Sequence, residues 1–503
     1  MNLETSAGGG PAATPEDDRP TPPGRTAAVL RRVGQALAGL LLVAFVALFV
    51  YLLRLGAIPA MWMAGGGVIG LAVVAAIAIP LWRSRLPQQR VRYTVLSGLT
   101  VLGLVGCLLG YLAVGDVDHF LDRIEPPTEQ VATYDVIALK AHADGIASVA
   151  GQTVGQLSID PNRALADAAL NQVVVVTYQD FTNLGTLADA LIDQQVNALL
   201  LDHAYLSVYD DSRPDFEAQY KVLYSFTVVV KPGVTPSATP SATPSPTVDN
   251  NSFIVYISGI DQYGSIGVKG RSDVNILAVV NPDKGQILLV NTPRDFYVQL
   301  RGTTGLRDKL THAGVYGIDV SVGTLEDLYG VDIDYYLRVN FDSVTQLVNL
   351  VGGIEVYSDN AFRSQGYSFQ VGWNSMDGAK ALVFSRERYS FAGGDRVRGQ
   401  NQERVIEALI QKMVQPSQLV HFGSILDAMG GGMETSMPRE AMMSLVNQQL
   451  SSGQAWTVER TSVDGDGAMS PTYTYGSQNL YVMVPDETTV AAARQRIAEI
   501  LAD

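Results

Sequence analysis

The chain has 503 residues, 47% of them hydrophobic and only 17% charged. An average soluble domain carries about 25% charged residues, so a chain that is soluble throughout is excluded, as is global disorder. Thirty-five Lys+Arg face 50 Asp+Glu for a net charge of −15, which argues against a nucleic-acid-binding surface. The single cysteine, Cys107, lies in an apolar run, which excludes an internal disulfide, a zinc site or a redox pair.

Residues 1–32 are Pro/Gly-rich (GGGPAATPEDDRPTPPGR) and predict a disordered tail. Three apolar runs follow within 33–115: Val33 to Leu53, which carries no charge, Ala57 to Trp82, and Tyr93 to Gly115. Each exceeds the ~18 residues at which a run reads as a membrane span. A buried core helix competes for any one run, but poorly for three in series. The late start argues against a cleaved signal peptide. Arg19, Arg25, Arg31 and Arg32 precede the first run, and Arg83, Arg85, Arg90 and Arg92 separate the second from the third. The positive-inside rule then places the N-terminus in the cytoplasm and everything after about Gly115 outside a cell membrane. Nine Arg face four acids up to Gly115, so the acidic excess belongs to the exported part.

Residues 116–230 predict a small α/β accessory domain. In it NQVVVVTYQDF and VNALLLDHAYL read as buried strands, with LGTLADALIDQQ as a helix between them. Its His142 and His203 are isolated and are expected to be structural or solvent-exposed. Residues 231–250, KPGVTPSATPSATPSPTVDN, cannot build a core and read as an extended linker.

Residues 251–415 predict a mixed central sheet flanked by helices, and 416–503 an extension completing or flanking it. FIVYISGI, NILAVVNP and GQILLVNTP read as strands, the last two joined by an Asn-Pro-Asp-Lys-Gly hairpin turn. VGTLEDLYG, FDSVTQLVNLVGG (closed by Gly352) and GQNQERVIEALIQKMV read as helices. The fold class is therefore α/β, with a three-helix membrane anchor, a small α/β domain and a larger α/β domain.

Polar residues of the larger domain bunch where elements end, which is where α/β sheets present their sites. Gly259-Ile260-Asp261 closes one strand, Arg271-Ser272-Asp273 precedes the next, and Pro293-Arg294-Asp295 closes the third. Lys309 follows in RDKLTHAGVYG; Ser385-Arg386-Glu387-Arg388 reads as the end of a strand, ALVFSRER; Asp395, Arg398 and Gln402 open the long helix. Several arginines and a lysine in one crevice suit a multiply charged anion, because guanidinium forks match phosphate oxygens. Carboxylates there would repel phosphate unless a hard cation lay between, and Mg²⁺ takes one or two carboxylates together with phosphates. Asp261 and Asp273 are accordingly candidate metal ligands. Surface ion pairing is the bland alternative for any single cluster, and it weakens as the clusters accumulate.

At these residues the sequence resembles the LytR-CpsA-Psr family of Gram-positive cell envelopes. The resemblance spans Ile254 to Leu409 and is carried by ISGIDQYG, RSDVNILAVVNP, LLVNTPRDFYV, RDKLTHAGVYG, VNFDSVTQLVNLVGGIEV, ALVFSRERYS and GGDRVRGQNQERVIEAL. The three-span start with a preceding accessory domain resembles the capsule branch. The resemblance implies a membrane-anchored phosphotransferase that moves a glycan such as teichoic acid or capsule from undecaprenyl pyrophosphate to a peptidoglycan hydroxyl. It implies that Asp261 and Asp273 hold Mg²⁺ (or Mn²⁺), and that Arg271, Arg294, Lys309, Arg386, Arg388, Arg398 and Gln402 contact the pyrophosphate or shape its pocket. Arg271, Arg294, Arg386, Arg388 and Asp395 are the catalytic candidates, and Asp295 and Asp395 would orient arginines. Its prenyl chain is expected in an apolar tunnel between sheet and helices. Two departures stand out: family members commonly read Arg-Gln where this chain has Asn401-Gln402, and many carry Asp where it has Asn349. A hydrolase with water as acceptor, and a non-catalytic envelope assembly or regulatory factor, remain alternatives; His312 is not expected to react.

Overall fold

A computed structural model describes residues 25–56, 58, 60–83, 90–124, 130–141, 144–230, 252–260, 269–415, 418 and 432–502. Two compact units divide the chain: the apolar helices up to Leu112, residues 55–59 excepted, and the chain from Ala113 onward. The first unit is built on α1 (Arg25–Leu55), α2 (Ala60–Arg83) and α3 (Arg90–Ile124). Within them Arg32–Arg54, Ala60–Trp82 and Val91–Leu112 are long and apolar enough to cross a membrane. Helix α1 starts at Arg25, inside the stretch expected to be a disordered tail, because TAAVL ahead of Arg31 contains no Gly or Pro to stop it. The rest of that tail and the expected linker 231–250 lie outside the described residues.

The second unit opens with β1 (Gln130–Leu139), β2 (Thr153–Leu157), α4 (Arg163–Leu170), β3 (Thr177–Phe181), α5 (Leu184–Ile192), β4 (Ala198–Asp202), α6 (His203–Ser212), α7 (Pro214–Glu217) and β5 (Tyr220–Val230). They form a five-stranded sheet in the order β3-β2-β4-β1-β5. Here β2 runs parallel to β3 and β4, and β1 antiparallel to β4 and β5. The expected strand–helix–strand is β3–α5–β4, but only β4 is buried. Val173 and Val175 are exposed (48% and 72%), because they precede β3 and β3 is an edge strand with one neighbour.

The larger sheet comes from β6 (Phe253–Ile260), β7 (Ser272–Asn281) and β8 (Gln286–Asn291), followed by the short ribbon β9 (Tyr297–Val298) and β10 (Asp308–Lys309). Then come α8 (Leu310–Tyr316), α9 (Ile318–Tyr329), β11 (Tyr335–Asn340) and α10 (Phe341–Leu350). Four short strands, β12 (Ile354–Ser358), β13 (Phe362–Ser364), β14 (Tyr367–Phe369) and β15 (Gly372–Met376), lead to α11 (Gly378–Arg386) and α12 (Asp395–Met413). The chain closes with β16 (Met433–Thr435), a helix Arg439–Ser452, β17 (Thr457–Ser462), the hairpin β18 (Gly465–Thr472) and β19 (Gly476–Pro485), and a helix Glu487–Leu501. The sheet order is β16-β11-β6-β7-β8-β17. It is mixed, with β11–β6 and β17–β8 parallel and the other pairs antiparallel.

Strand β7 is buried along its whole length, which explains why NILAVV lacks polar alternation: both faces are covered. One face packs Leu277 and Val279 against Leu325 of α9 and Val490 and Ile497 of the last helix. The other packs Ile276 and Ala278, together with Leu289 of β8, against Ile406 and Ile410 of α12.

One element differs in kind from its expectation. ALVFSR is helical, and Arg386 ends α11 rather than a strand. The Asp377 side chain accepts from the Lys380 backbone N–H at 2.8 Å, and Ala381 and Phe384 fall three apart on the buried face. A short apolar run is ambiguous between strand and helix until its cap and packing partner are known.

Candidate anion-binding site

The loops at one end of the larger sheet enclose a cavity of ≈ 410 Å³. Arg271 and Asp273 reach it from the start of β7 and Arg294 from the loop after β8. Arg386 and Arg388 come from the end of α11, and Arg398 and Gln402 from adjacent turns of α12. Spacing of four puts the last two on one helical face. Seven of the expected residues therefore share one cavity.

Charge dominates the cavity wall, where five guanidiniums face the Asp273 and Glu387 carboxylates. Asp273 Oδ1 lies 2.9 Å from Arg294 Nη1 and accepts from Thr311 Oγ1 at 3.0 Å. Burial pushes the Asp273 carboxyl up, but the Arg294, Arg271 and Arg398 guanidiniums outweigh it and hold the group below the usual carboxylate range. Asp273 is 7% exposed, not a solvent-facing strand end as its position before NILAVV suggests. Asp395 pairs with Arg398, and burial pushes its carboxyl up despite that guanidinium. Asp395 lines the adjoining cleft with Asn291 and Ser462 rather than the cavity itself.

Lys309 differs from its expected place. Its ammonium lies 3.1 Å from Asp295 Oδ1, and Arg294 Nε lies 3.8 Å from the same oxygen. Lys309 and Asp295 thus stand behind Arg294 and are not part of the cavity wall. Asp261 lies outside the described residues, as does His142. His203 is not isolated: its Nδ1 is 2.6 Å from Asp135 Oδ2. His312, buried with Nδ1 2.6 Å from Asp308, does not line the cavity.

Four cavity residues carry no sequence assignment. Phe341, at the start of α10, holds Arg386 at 4.7 Å over its ring, a cation–π contact that fixes the guanidinium plane. Gln365 comes from the β13–β14 turn with φ +45°; it arrives only through the fold. Glu387 folds back, its Oε1 accepting from Ser390 N–H at 2.9 Å. Tyr389, 85% exposed at the mouth, accepts from Arg388 Nη2 at 2.7 Å. Glu387 and Tyr389 had a signal, since they flank Arg388 in sequence.

The two departures have local explanations. Asn401 is 1% exposed, and its amide nitrogen lies 3.5 Å from the Phe384 carbonyl of α11, so the position faces the helix packing and not the cavity. Asn349 Oδ1 accepts from the Gly378 N–H at 2.8 Å, satisfying an otherwise orphaned donor in the first turn of α11.

Among the described residues no group of three or more His, Cys, Asp or Glu side chains comes together for a metal. The chemistry of Asp273 nevertheless fits Mg²⁺: a carboxylate held below its usual range on the wall of a cationic cavity is the kind of ligand that ion takes together with phosphates.

A model of the LytR_cpsA_psr family matches residues 229–496, extending past Leu409 to include β17 and the β18–β19 hairpin. A polyisoprenyl-teichoic acid–peptidoglycan teichoic acid transferase of Enterococcus faecalis is 35% identical over 225 residues, 44% of this chain and 73% of the relative. A protein of the same name from Halalkalibacterium halodurans is 32% identical over 237 residues, 47% and 75% of the two chains. Among solved structures, that of B. subtilis TagV is 30% identical and covers 50% of this chain and 98% of its own, with a TM-score of 0.43. With the family model spanning more than half of its length and the arginine-lined cavity inside that span, the chain belongs to the LytR-CpsA-Psr family.

Proposed function

We propose that this protein is a membrane-anchored phosphotransferase that moves a glycopolymer of the teichoic-acid or capsule class from a polyprenyl-pyrophosphate carrier, undecaprenyl pyrophosphate, to peptidoglycan. The observation that carries this reading is the convergence of Arg271, Arg294, Arg386, Arg388 and Arg398 on one cavity in a family whose relatives are named for that transfer. A hydroxyl oxygen of the acceptor attacks the glycan-side phosphorus, its proton leaves to solvent, and the bond from that phosphorus to the bridging oxygen breaks. Polyprenyl phosphate departs. The guanidiniums stabilise the charge that develops on the phosphoryl and bridging oxygens, and Arg294, Arg386 and Arg398, held by Asp273, Phe341 and Asp395, do so with little reorganisation. Asp273 would hold Mg²⁺ with the pyrophosphate oxygens, and Asp261 would be the second ligand; the ion supplies charge neutralisation that lets carboxylate and phosphate share the site.

The three apolar helices support attachment to the cell membrane, and the arginine distribution supports a cytoplasmic N-terminus with the cavity outside, where peptidoglycan is. Mass spectrometry of peptidoglycan-linked polymer in cells with and without the protein tests the reading. Loss of a phosphodiester-linked glycan is expected; an unchanged polymer load would overturn it.

A further inference from the structure

The five-stranded sheet and the cavity are joined by a continuous set of buried contacts. Helix α5 presents its first N–H groups to the β18–β19 turn: Leu184 N–H donates to the Thr474 carbonyl at 3.0 Å and Gly185 N–H to the Tyr475 carbonyl at 2.9 Å. The approach is backbone against backbone. A Cβ on Gly185 would stand 2.5 Å from the Tyr475 carbonyl oxygen, and one on Gly476 (φ +100°) would strike Asn183, the N-cap of α5. Tyr475 is fully buried, its ring 6.4 Å from that of Tyr209 on α6.

The same turn then grips the catalytic side. Thr474 gives both its N–H (2.7 Å) and its hydroxyl to Asp308 Oδ2. Asp308 Oδ1 accepts from the Lys309 N–H at 2.8 Å and lies 2.6 Å from His312 Nδ1. Asp308 and Thr474 are both 0% exposed, so this carboxylate is satisfied wholly by protein donors and has no freedom to reorient. The next side chain, Lys309, meets Asp295, whose carbonyl is held by Met483 N–H of β19 at 2.7 Å. Asp295 adjoins Arg294 on the cavity wall.

We infer that Asp308 and Thr474 are positioning residues for the pyrophosphate site, and that the five-stranded-sheet module is the brace that seats them through the β18–β19 turn. The inference rests on the anion-site reading and gives the module a task within it: holding Lys309 and Asp295 so that Arg294 is already aimed when the anion arrives. Displacements well under 1 Å matter for such a group, since a misplacement of about 1 Å can cost on the order of a hundredfold.

Inorganic pyrophosphate titrated calorimetrically into the full-length protein in detergent tests it. Thr474→Val, which keeps the N–H and removes the hydroxyl, should weaken binding about fivefold or more, and Thr474→Ser should bind like the parent. Gly185→Ala, made in the other module, should weaken binding by a similar factor while leaving the cavity residues untouched. Thr474→Val combined with Lys309→Ala should bind no more weakly than Lys309→Ala alone, because both break one chain of contacts. Parent-like affinity in folded Thr474→Val or Gly185→Ala, equal losses in the Val and Ser variants, or multiplicative losses in the double variant would each overturn the inference. Should Thr474→Val fail to fold, Gly185→Ala decides by the same criteria. Turnover is scored separately: a parent that binds pyrophosphate but cleaves no polyprenyl pyrophosphate overturns the transferase reading alone.

Discussion

Arg294 and Asp273 form an ion pair of 2.9 Å in which the two side chains are only 5% and 6% exposed. A buried guanidinium and carboxylate in contact must be kept together, because removing either leaves the other charge desolvated without a partner. Asp273→Ala is therefore expected to lower unfolding free energy by about 3–5 kcal/mol, measured by urea denaturation of the soluble part or heating of the whole chain. A loss below about 1 kcal/mol would mean that the pair is hydrated and surface-like.

The same pair sets an acid limit. The Asp273 carboxyl titrates below its ordinary range in the folded state, so its contribution to stability is complete above the unfolded value and disappears as pH falls through the folded one. Acid unfolding of the parent should steepen below about pH 4, and Asp273→Asn should remove that part of the pH dependence.

Glu403 has the opposite sign. Only 2% exposed, it accepts from Ser462 Oγ at 3.1 Å, and burial pushes its carboxyl up to about 8. A raised folded-state value favours folding fully below the unfolded value, and that contribution is lost as pH rises through about 8. Glu403→Gln should match the parent near pH 4 and exceed its stability by roughly 2–4 kcal/mol near pH 9. Parallel melting curves across that range would refute the assignment.

Arg388 leaves the end of α11 and rests on Tyr389, 4.8 Å from the ring. Half-buried on the cavity wall and tethered to the Tyr389 hydroxyl at 2.7 Å, its guanidinium is placed to meet a phosphate, a charge-assisted contact of about 1.5–3 kcal/mol. Arg388→Ala should slow cleavage of a polyprenyl-pyrophosphate substrate at least about tenfold while lipid affinity falls much less. Arg388→Lys should restore little, since an ammonium cannot supply the planar fork. Complementation of a wall defect by Arg388→Ala would favour a scaffold instead of an enzyme.

Asn349 tests whether a departure from the family pattern is chemical or structural. Its Oδ1 serves the Gly378 N–H at the start of α11, so Asn349→Ala should cost about 1 kcal/mol of stability. Turnover should stay within about a factor of two of the parent. Asn349→Asp should be stable, because a carboxylate accepts equally and favours a helix N-terminus. A turnover loss of about tenfold in Asn349→Ala would place the residue in the reaction after all.

The sequence by itself determined the parts whose physics is local. Twenty-odd apolar residues in a row specify a long apolar helix, NPDKG between two apolar runs specifies the β7–β8 hairpin, and the motifs RSD, PRD and SRER announce charges at element ends. Seven of the expected site residues accordingly meet in one cavity. Local pattern failed where the deciding partner is distant. ALVFSR is helical because Asp377 caps it and its buried face packs beside α10 and α12. Asp273 is buried because Arg294, more than twenty positions later, neutralises it there. Lys309 stands behind the cavity because Asp295 intercepts its ammonium, and Gln365 reaches the wall only through the β13–β14 turn. Ion pairing and backbone-to-backbone docking, as between Gly185 and Tyr475, depend on distances that no spacing in sequence encodes, so only the tertiary structure decides them.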